Sequence, residues 1–123
     1  MESARAYEIN YDVACGYLQV IDVDELAAEI TQGWFNQTLC EVNDSVIRLG
    51  LFEGEFHWHK HDREDEFFYV VAGTLYIDLE DRVIELQPRQ GFTIPKGIVH
   101  RTRAPTRTTV LMVEPKTVVA TGD

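Results

Sequence analysis

The chain has 123 residues, of which 45% are hydrophobic, and a formal net charge of −10. This length fits one compact domain, and this composition is typical of a globular protein and not of a disordered one. The negative charge disfavours nucleic acids and membrane surfaces as partners, because both attract basic proteins. We therefore expect a small-molecule ligand, with no nucleic-acid or membrane partner.

The cysteines and the amino terminus indicate where the protein works. Cys15 and Cys40 are far apart in the sequence and form no CxxC motif, as expected in a reducing cytoplasm. The opening stretch MESARAYEIN lacks a basic segment followed by an apolar core, so it predicts no signal peptide. The apolar run FFYVVAGTLYI is too short to span a bilayer. We predict a cytoplasmic protein.

In chain order, the first predicted element is a helix within DVDELAAEITQG, residues 22–33. Asp22 or Asp24 can cap its start, and Gly33 can end it. We assign residues 1–45 to an N-terminal arm and this one short helix.

From Val46 onward the sequence predicts short strands separated by Gly, Pro and Asp-Arg turns. Such a pattern indicates an all-β sandwich or barrel over residues 46–114, followed by a tail at 115–123. In EFFYVVA, Phe68 and Val70 share the face of Glu66, yet the opposite face is also apolar. A second layer must cover that face, and a homodimer is the expected source.

The stretch HWHKHDREDE, residues 57–66, contains three of the four histidines. On an extended strand His57, His59 and His61 would share one face, with Trp58 and Lys60 on the other. Neighbouring members of this row can reach one metal ion, but the outer pair stands too far apart for all three to do so. One histidine of the row is therefore expected not to be a ligand.

Two further side chains join this row as candidate ligands. Glu66 begins an apolar strand, where a carboxylate is costly unless something pairs with it. His100 follows the turn at Pro95 and Gly97, which returns the chain to the sheet. Four basic residues surround His100 in the sequence: Lys96, Arg101, Arg103 and Arg107. They either form a positive rim that favours an anionic ligand, or they are outward side chains on an exposed strand.

These residues resemble the cupins, whose motifs read G-x5-H-x-H-x3,4-E-x6-G and G-x5-P-x-G-x2-H-x3-N. HKHDREDEFFYVVAG and GFTIPKGIVHRTRA match every ligand position of the two motifs. The departures lie elsewhere: Gly54 is one residue closer to the first histidine, Gly91 is two residues closer to the proline, and Ala104 replaces the final asparagine. The other register, with His57 and His59 as the histidine pair and Glu64 as the acid, places Val71 where the motif needs glycine.

The resemblance covers residues 46–114 and implies a double-stranded β-helix, or jelly-roll barrel. It also implies a divalent transition metal (Fe, Mn, Ni, Co or Zn) held by His59, His61, Glu66 and His100. The chain looks like short single-domain bacterial cupins that are sometimes labelled mannose-6-phosphate isomerase-like. That label follows the fold and is weak evidence of activity.

Two functions are compatible with such a site. The first is a metal-dependent enzyme that acts on a small oxygenated metabolite as a dioxygenase, isomerase or lyase. Strand parity then suggests His57, Tyr76 and Arg101 as pocket residues. The second is a non-catalytic module that binds or senses a small ligand or the metal, favoured by the lack of a second titratable pair.

Overall fold

The computed structural model describes residues 7–123 and shows a predominantly β structure, which confirms the predicted all-β class. The elements are β1 (Glu8–Asn10), α1 (Val23–Ala28), β2 (Trp34–Val42), β3 (Ser45–Glu55), β4 (Glu66–Ala72), β5 (Leu75–Leu79), β6 (Val83–Leu86), β7 (Gly91–Ile94) and β8 (His100–Pro115). Within the described part of the chain, no helix is long and apolar enough to cross a membrane.

The long strand β8 organises the sheet. One of its edges pairs antiparallel with β3, and its other edge is divided between β5 at His100–Arg103 and β4 at Thr109–Val113. β6 extends the β5 branch and β7 extends the β4 branch. No ladder between described residues joins β6 to β7, so the two branches do not close into a hydrogen-bonded barrel.

β8 extends from His100 to Pro115, although Pro105 lies within it. Proline lacks an N–H for a ladder, and the register with β3 shifts at this point. Phe52 pairs with Thr108 and Gly54 with Ala104, so the intervening β8 residues form an irregular stretch. The strand continues past it to His100, which brings that residue to the sheet.

The segment Trp34–Val42, assigned from sequence to the N-terminal arm, instead forms strand β2 against β3. Its inward positions include Asn36 and Thr38, both buried. These polar residues interrupt the apolar alternation by which a strand is recognised. The pairing with β3, and not a local sequence pattern, therefore determines that this segment is a strand.

The inner face of the sheet contains the core. In β4, Glu66, Phe68 and Val70 are buried while the alternate residues are half-buried, as predicted from the alternation. Apolar side chains from six further strands and the β3–β4 segment complete the core: Trp34, Phe52, Phe56, Leu75, Ile77, Leu86, Ile94, Val110 and Met112. Glu66 thus lies in an apolar interior.

The helix provides part of the second layer. Its side chains Leu26 and Val23, with Ile30 beyond it, pack against Leu39 and Leu49 on the outer face of β2 and β3. Asp22 caps the helix by accepting a hydrogen bond from the Glu25 N–H at 3.0 Å, as predicted. The helix ends at Ala28 and not near Gly33, because the chain turns there to bring Ile30 onto the sheet.

Candidate metal centre

The fold brings four candidate ligands together from three places in the sequence. His59 and His61 lie between β3 and β4, Glu66 begins β4, and His100 begins β8. His59 and His100 exchange two backbone hydrogen bonds of 2.9 Å, which fixes their side chains beside each other. The Gly97 N–H donates to the His61 carbonyl at 2.8 Å and holds the loop before His100 against the histidine segment.

One donor atom from each of His59, His61, Glu66 and His100 lies within 4.8 Å of the others. His61, Glu66 and His100 are buried, with exposed fractions of 2%, 6% and 1%. Three imidazoles and one carboxylate at this separation could hold a single metal ion after small side-chain adjustments. The spacing of the two motifs had predicted this same group.

Backbone contacts orient two of the imidazoles. The Nδ1–H of His59 donates to the His57 carbonyl at 3.0 Å, and the Nδ1–H of His100 donates to the Ile98 carbonyl at 2.9 Å. Because a carbonyl oxygen only accepts, each neutral ring has its proton on Nδ1 and a lone pair on Nε2. These contacts leave both Nε2 atoms free for a metal, as is usual for histidine ligands.

Three of the donor atoms lack hydrogen-bond partners among the described residues. His61 Nε2 and His100 Nε2 lie 3.4 Å and 3.6 Å from Glu66 Oε1, and none of these three buried atoms makes a hydrogen bond. Buried polar atoms are normally paired, and an unpaired one is costly. A metal ion among them would satisfy all three, so these residues fit such an ion.

Electrostatics adjust the site for cation binding. Burial lowers the pKa of His59 to about 4, so this imidazole is neutral at neutral pH. Burial also disfavours the charge on His61, but the adjacent Glu66 outweighs it and raises the pKa of His61 above its usual value. Burial alone would raise the pKa of Glu66, yet His100 and His61 hold it well below its usual range. Glu66 is therefore a carboxylate at neutral pH.

A second buried carboxyl lies behind Glu66. Glu114 of β8 interacts with Glu66 and forms an ion pair of 3.1 Å with Arg48 of β3, and the side chains of Arg48 and Glu114 are 2% and 1% exposed. Burial and the neighbouring Glu66 raise the pKa of Glu114 well above its usual value. Our sequence analysis missed this pair, although both residues alternate with apolar core positions in their strands.

The candidate pocket residues lie outside the four-residue group. His57 is exposed, stacks on Phe56 at 4.3 Å between ring centroids, and its Nε2–H donates to the Thr121 carbonyl at 2.7 Å. Tyr76 and Arg101 alternate with the buried residues of β5 and β8, and so lie on the outer face of the sheet. The sequence analysis placed these two side chains in the pocket, whereas they lie on the opposite face of their strands.

The basic cluster near His100 is in part neutralised on that outer face. Arg101 and Arg103 each direct Nε to Asp78, with closest distances of 2.9 Å, and Arg101 also lies over the Trp58 ring at 5.3 Å. Trp58 is exposed, opposite the metal ligands, as the alternation predicted. Of the two interpretations of these arginines, the outward one agrees with the structure.

A cavity of about 20 Å³ adjoins His59 and Glu66. It is lined mainly by apolar side chains from β2, β3, β4 and β8, together with Asn36, Thr102 and Ala120. This volume holds about one water-sized molecule. Among the described residues that line it, the titratable ones are the two candidate ligands themselves.

Comparisons with known proteins identify the family. The cupin domain model matches residues 51–115. The chain is 44% identical to the uncharacterized protein YdbB of Bacillus subtilis (strain 168) over 92 residues, which are 74% of this chain and 81% of that protein. It is 35% identical over 102 residues to the mannose-1-phosphate guanylyltransferase of Sinorhizobium fredii, covering 80% of this chain but 20% of the relative.

A solved structure extends the likeness to three dimensions. A cupin-2 domain containing protein from Shewanella frigidimarina superposes with a TM-score of 0.75 and 36% sequence identity, over 78% of this chain and 94% of that one. Its similarity, the matched domain and the arrangement of the strands agree with one another. The chain belongs to the cupin domain family.

Proposed function

We propose that the protein binds one divalent transition metal ion through His59, His61, Glu66 and His100. We further propose that this centre acts on a small oxygenated metabolite, as a dioxygenase, isomerase or lyase. The observation that supports this most is the convergence of buried Nε2 and Oε1 atoms that lack hydrogen-bond partners. A bound metal would supply Lewis-acid or redox chemistry to a chelating substrate.

The residues of the chain have distinct roles in this proposal. The backbone carbonyls of residues 57 and 98 orient two imidazoles, and Glu66 supplies the negative charge. The apolar lining of the cavity would limit the water beside the centre to about one molecule and strengthen electrostatic interactions there. Ion identity depends on ligand geometry and cellular supply, so Fe, Mn, Ni, Co and Zn all remain within the proposal.

A non-catalytic binding or sensor module is the second candidate. One observation favours it: no described residue that lines the cavity, other than a candidate ligand, is a titratable acid or base. Proton transfer by a separate side chain would then need a group from outside the cavity. The guanylyltransferase relative adds no substrate argument, since the match spans a fifth of that protein.

Metal analysis tests the proposal. Protein purified without a histidine tag should contain close to one equivalent of a transition metal, and a Glu66→Ala variant should contain much less. Wild-type protein that neither contains nor takes up Fe, Mn, Ni, Co or Zn would contradict both candidate functions. Oxygen uptake and product analysis with chelating metabolites would then separate the enzyme from the sensor.

Metal affinity should depend on pH in a defined direction. A metal needs neutral His61, whose pKa in the metal-free protein is raised by Glu66, so affinity should rise as the pH rises through that pKa. His59, with a pKa of about 4, has no proton to lose near neutrality. Calorimetry in two buffers of different ionisation enthalpy should detect release of up to about one proton per metal near pH 7. Affinity that increases on acidification would contradict this account.

A homodimer in the cytoplasm remains part of the proposal. The outer face of β4 presents half-buried Phe67 and Tyr69 next to Val113 of β8, which is 39% exposed. A second copy covering this face would bury the remaining apolar surface. Light scattering on the purified protein measures the mass directly, and a monomer at micromolar concentration would refute this part.

A further inference from the structure

The segment 117–123, here called the C-terminal strap, lies along the histidine segment. The Asp123 N–H donates to the Lys60 carbonyl at 3.0 Å, and the Asp62 N–H donates to Asp123 Oδ2 at 2.6 Å. The Thr121 carbonyl accepts from His57 at 2.7 Å. These contacts link the strap to the same stretch of chain that contains His59 and His61.

The strap also reaches the edge of a candidate ligand. A Cβ built on Gly122 would lie 2.6 Å from Cβ, 3.1 Å from Cγ and 3.2 Å from Cδ2 of His59. Cδ2 is bonded to Nε2, the atom that the Nδ1 hydrogen bond leaves free for a metal. Gly122 has φ +97, a conformation that glycine adopts readily, so the strap depends on glycine for this close approach.

Two residues before Gly122, Ala120 is buried and lines the cavity beside His59 and Glu66. With the strap in place that cavity has a volume of about 20 Å³. A water-sized molecule fits, whereas a bidentate organic ligand does not. A larger ligand therefore requires the lining to move.

Of the cavity lining, the strap is the part that can move at least cost. The other lining residues belong to paired strands, the aromatic core or the His59–His100 bridge, whereas the strap forms no ladder with the described residues. Besides the contacts above, the strap is held by its buried side chains Val118 and Ala120 and by side-chain hydrogen bonds to Arg48, Glu64 and Tyr11. Each hydrogen bond contributes little net stability, so such a segment can detach without global unfolding.

We propose that the C-terminal strap determines which ligands reach His59, His61, Glu66 and His100: closed, it admits water-sized molecules, and larger ligands enter only when it lifts. This inference rests on the proposed function in treating these four residues as the ligand-binding centre. The strap thus sets the size of ligand that the centre accepts.

A pair of glycine variants tests the proposal. Gly122→Ala introduces a Cβ against His59, whereas Gly54→Ala introduces one at a similar φ of +109 with no atom within 4 Å. Both therefore carry the strain of a left-handed backbone, and the contact with His59 distinguishes them. Asp123→Ala, at an exposed residue, removes the hydrogen bond from the Asp62 N–H and so loosens the strap.

The first readout needs no metal. Diethyl pyrocarbonate acylates free imidazole nitrogen, and mass spectrometry of the metal-free protein reports the rate at His59. We expect this rate to rise roughly tenfold in Gly122→Ala, about fivefold in Asp123→Ala and less than about twofold in Gly54→Ala. Equal rates in wild type, Gly122→Ala and Asp123→Ala would overturn the proposal, and Asp123→Ala decides it if Gly122→Ala does not fold.

The second readout uses Co(II)-loaded protein and two probes of different size. Acetohydroxamate, a bidentate organic ligand, should bind about tenfold faster to Gly122→Ala than to wild type, while azide should bind at similar rates to both. If Co(II) does not bind wild-type protein, the proposed metal function fails, and the acylation rates still decide the strap. If Co(II) binds and both probes enter all variants alike, the strap proposal fails alone.

Discussion

Replacing Glu66 with glutamine should weaken Co(II) or Zn(II) binding by about 100-fold or more, whereas the same replacement at Glu114 should change it by less than about threefold. The two carboxyls are neighbours, both buried, and belong to adjacent strands β4 and β8. Only Glu66 directs an unpaired oxygen toward His61 Nε2 and His100 Nε2.

The charge on Glu66 and the position of Glu114 explain this contrast. Burial opposes ionisation of Glu66, but the adjacent His100 and His61 outweigh it and hold its pKa well below its usual range, so glutamine removes a charged ligand. Glu114 lies outside the four-residue group and faces Arg48 at 3.1 Å, so glutamine there removes no metal ligand. Isothermal titration calorimetry on both variants makes the comparison. Equal losses of affinity would show that both carboxyls, and not Glu66 alone, serve the metal.

Replacing Arg48 with methionine should lower the free energy of unfolding by about 3–5 kcal/mol. Arg48 is 2% exposed and provides the cation that faces Glu114 at 3.1 Å, so methionine leaves two buried carboxyls without it. The change also removes the contact of the guanidinium with the Tyr11 ring at 4.7 Å and its hydrogen bond of 3.4 Å to the Val118 carbonyl.

Urea denaturation measures this effect, with Arg82→Met as the matched control. Arg82 is exposed, and its replacement should change stability by less than about 0.5 kcal/mol. A double variant, Arg48→Met with Glu114→Leu, removes both partners and should recover most of the loss. An Arg48→Met protein as stable as the Arg82→Met control would show that the buried ion pair contributes nothing to folding.

The candidate ligands could be predicted because their chemistry is local in sequence. A row of alternating histidines, an acid at the start of an apolar strand and a histidine after a Pro-Gly turn each carry a recognisable signal. The family motif then identified His57 as the member outside the ligand set, in agreement with the group formed by His59, His61, Glu66 and His100. The β4 strand was predictable for the same reason, since the apolar run of EFFYVVA is continuous.

Other features depend on contacts between distant parts of the chain. Arg48 and Glu114 are 66 positions apart, and only the pairing of β3 with β8 shows that they meet. The direction of the Tyr76 and Arg101 side chains depends on the phase of the paired strands β5 and β8. The strap residues Val118 and Ala120 belong to a polar end whose burial depends on the loop it covers. Sequence patterns report the local preference and leave these long-range contacts undetermined.

The most direct measurement of the central claim is an anomalous difference map from crystals of protein loaded with a transition metal and recorded at its absorption edge. The account predicts one strong peak at about 2.0–2.2 Å from Nε2 of His59, His61 and His100 and from a carboxylate oxygen of Glu66. A map with no peak among these four side chains, in crystals soaked with excess metal, would contradict it.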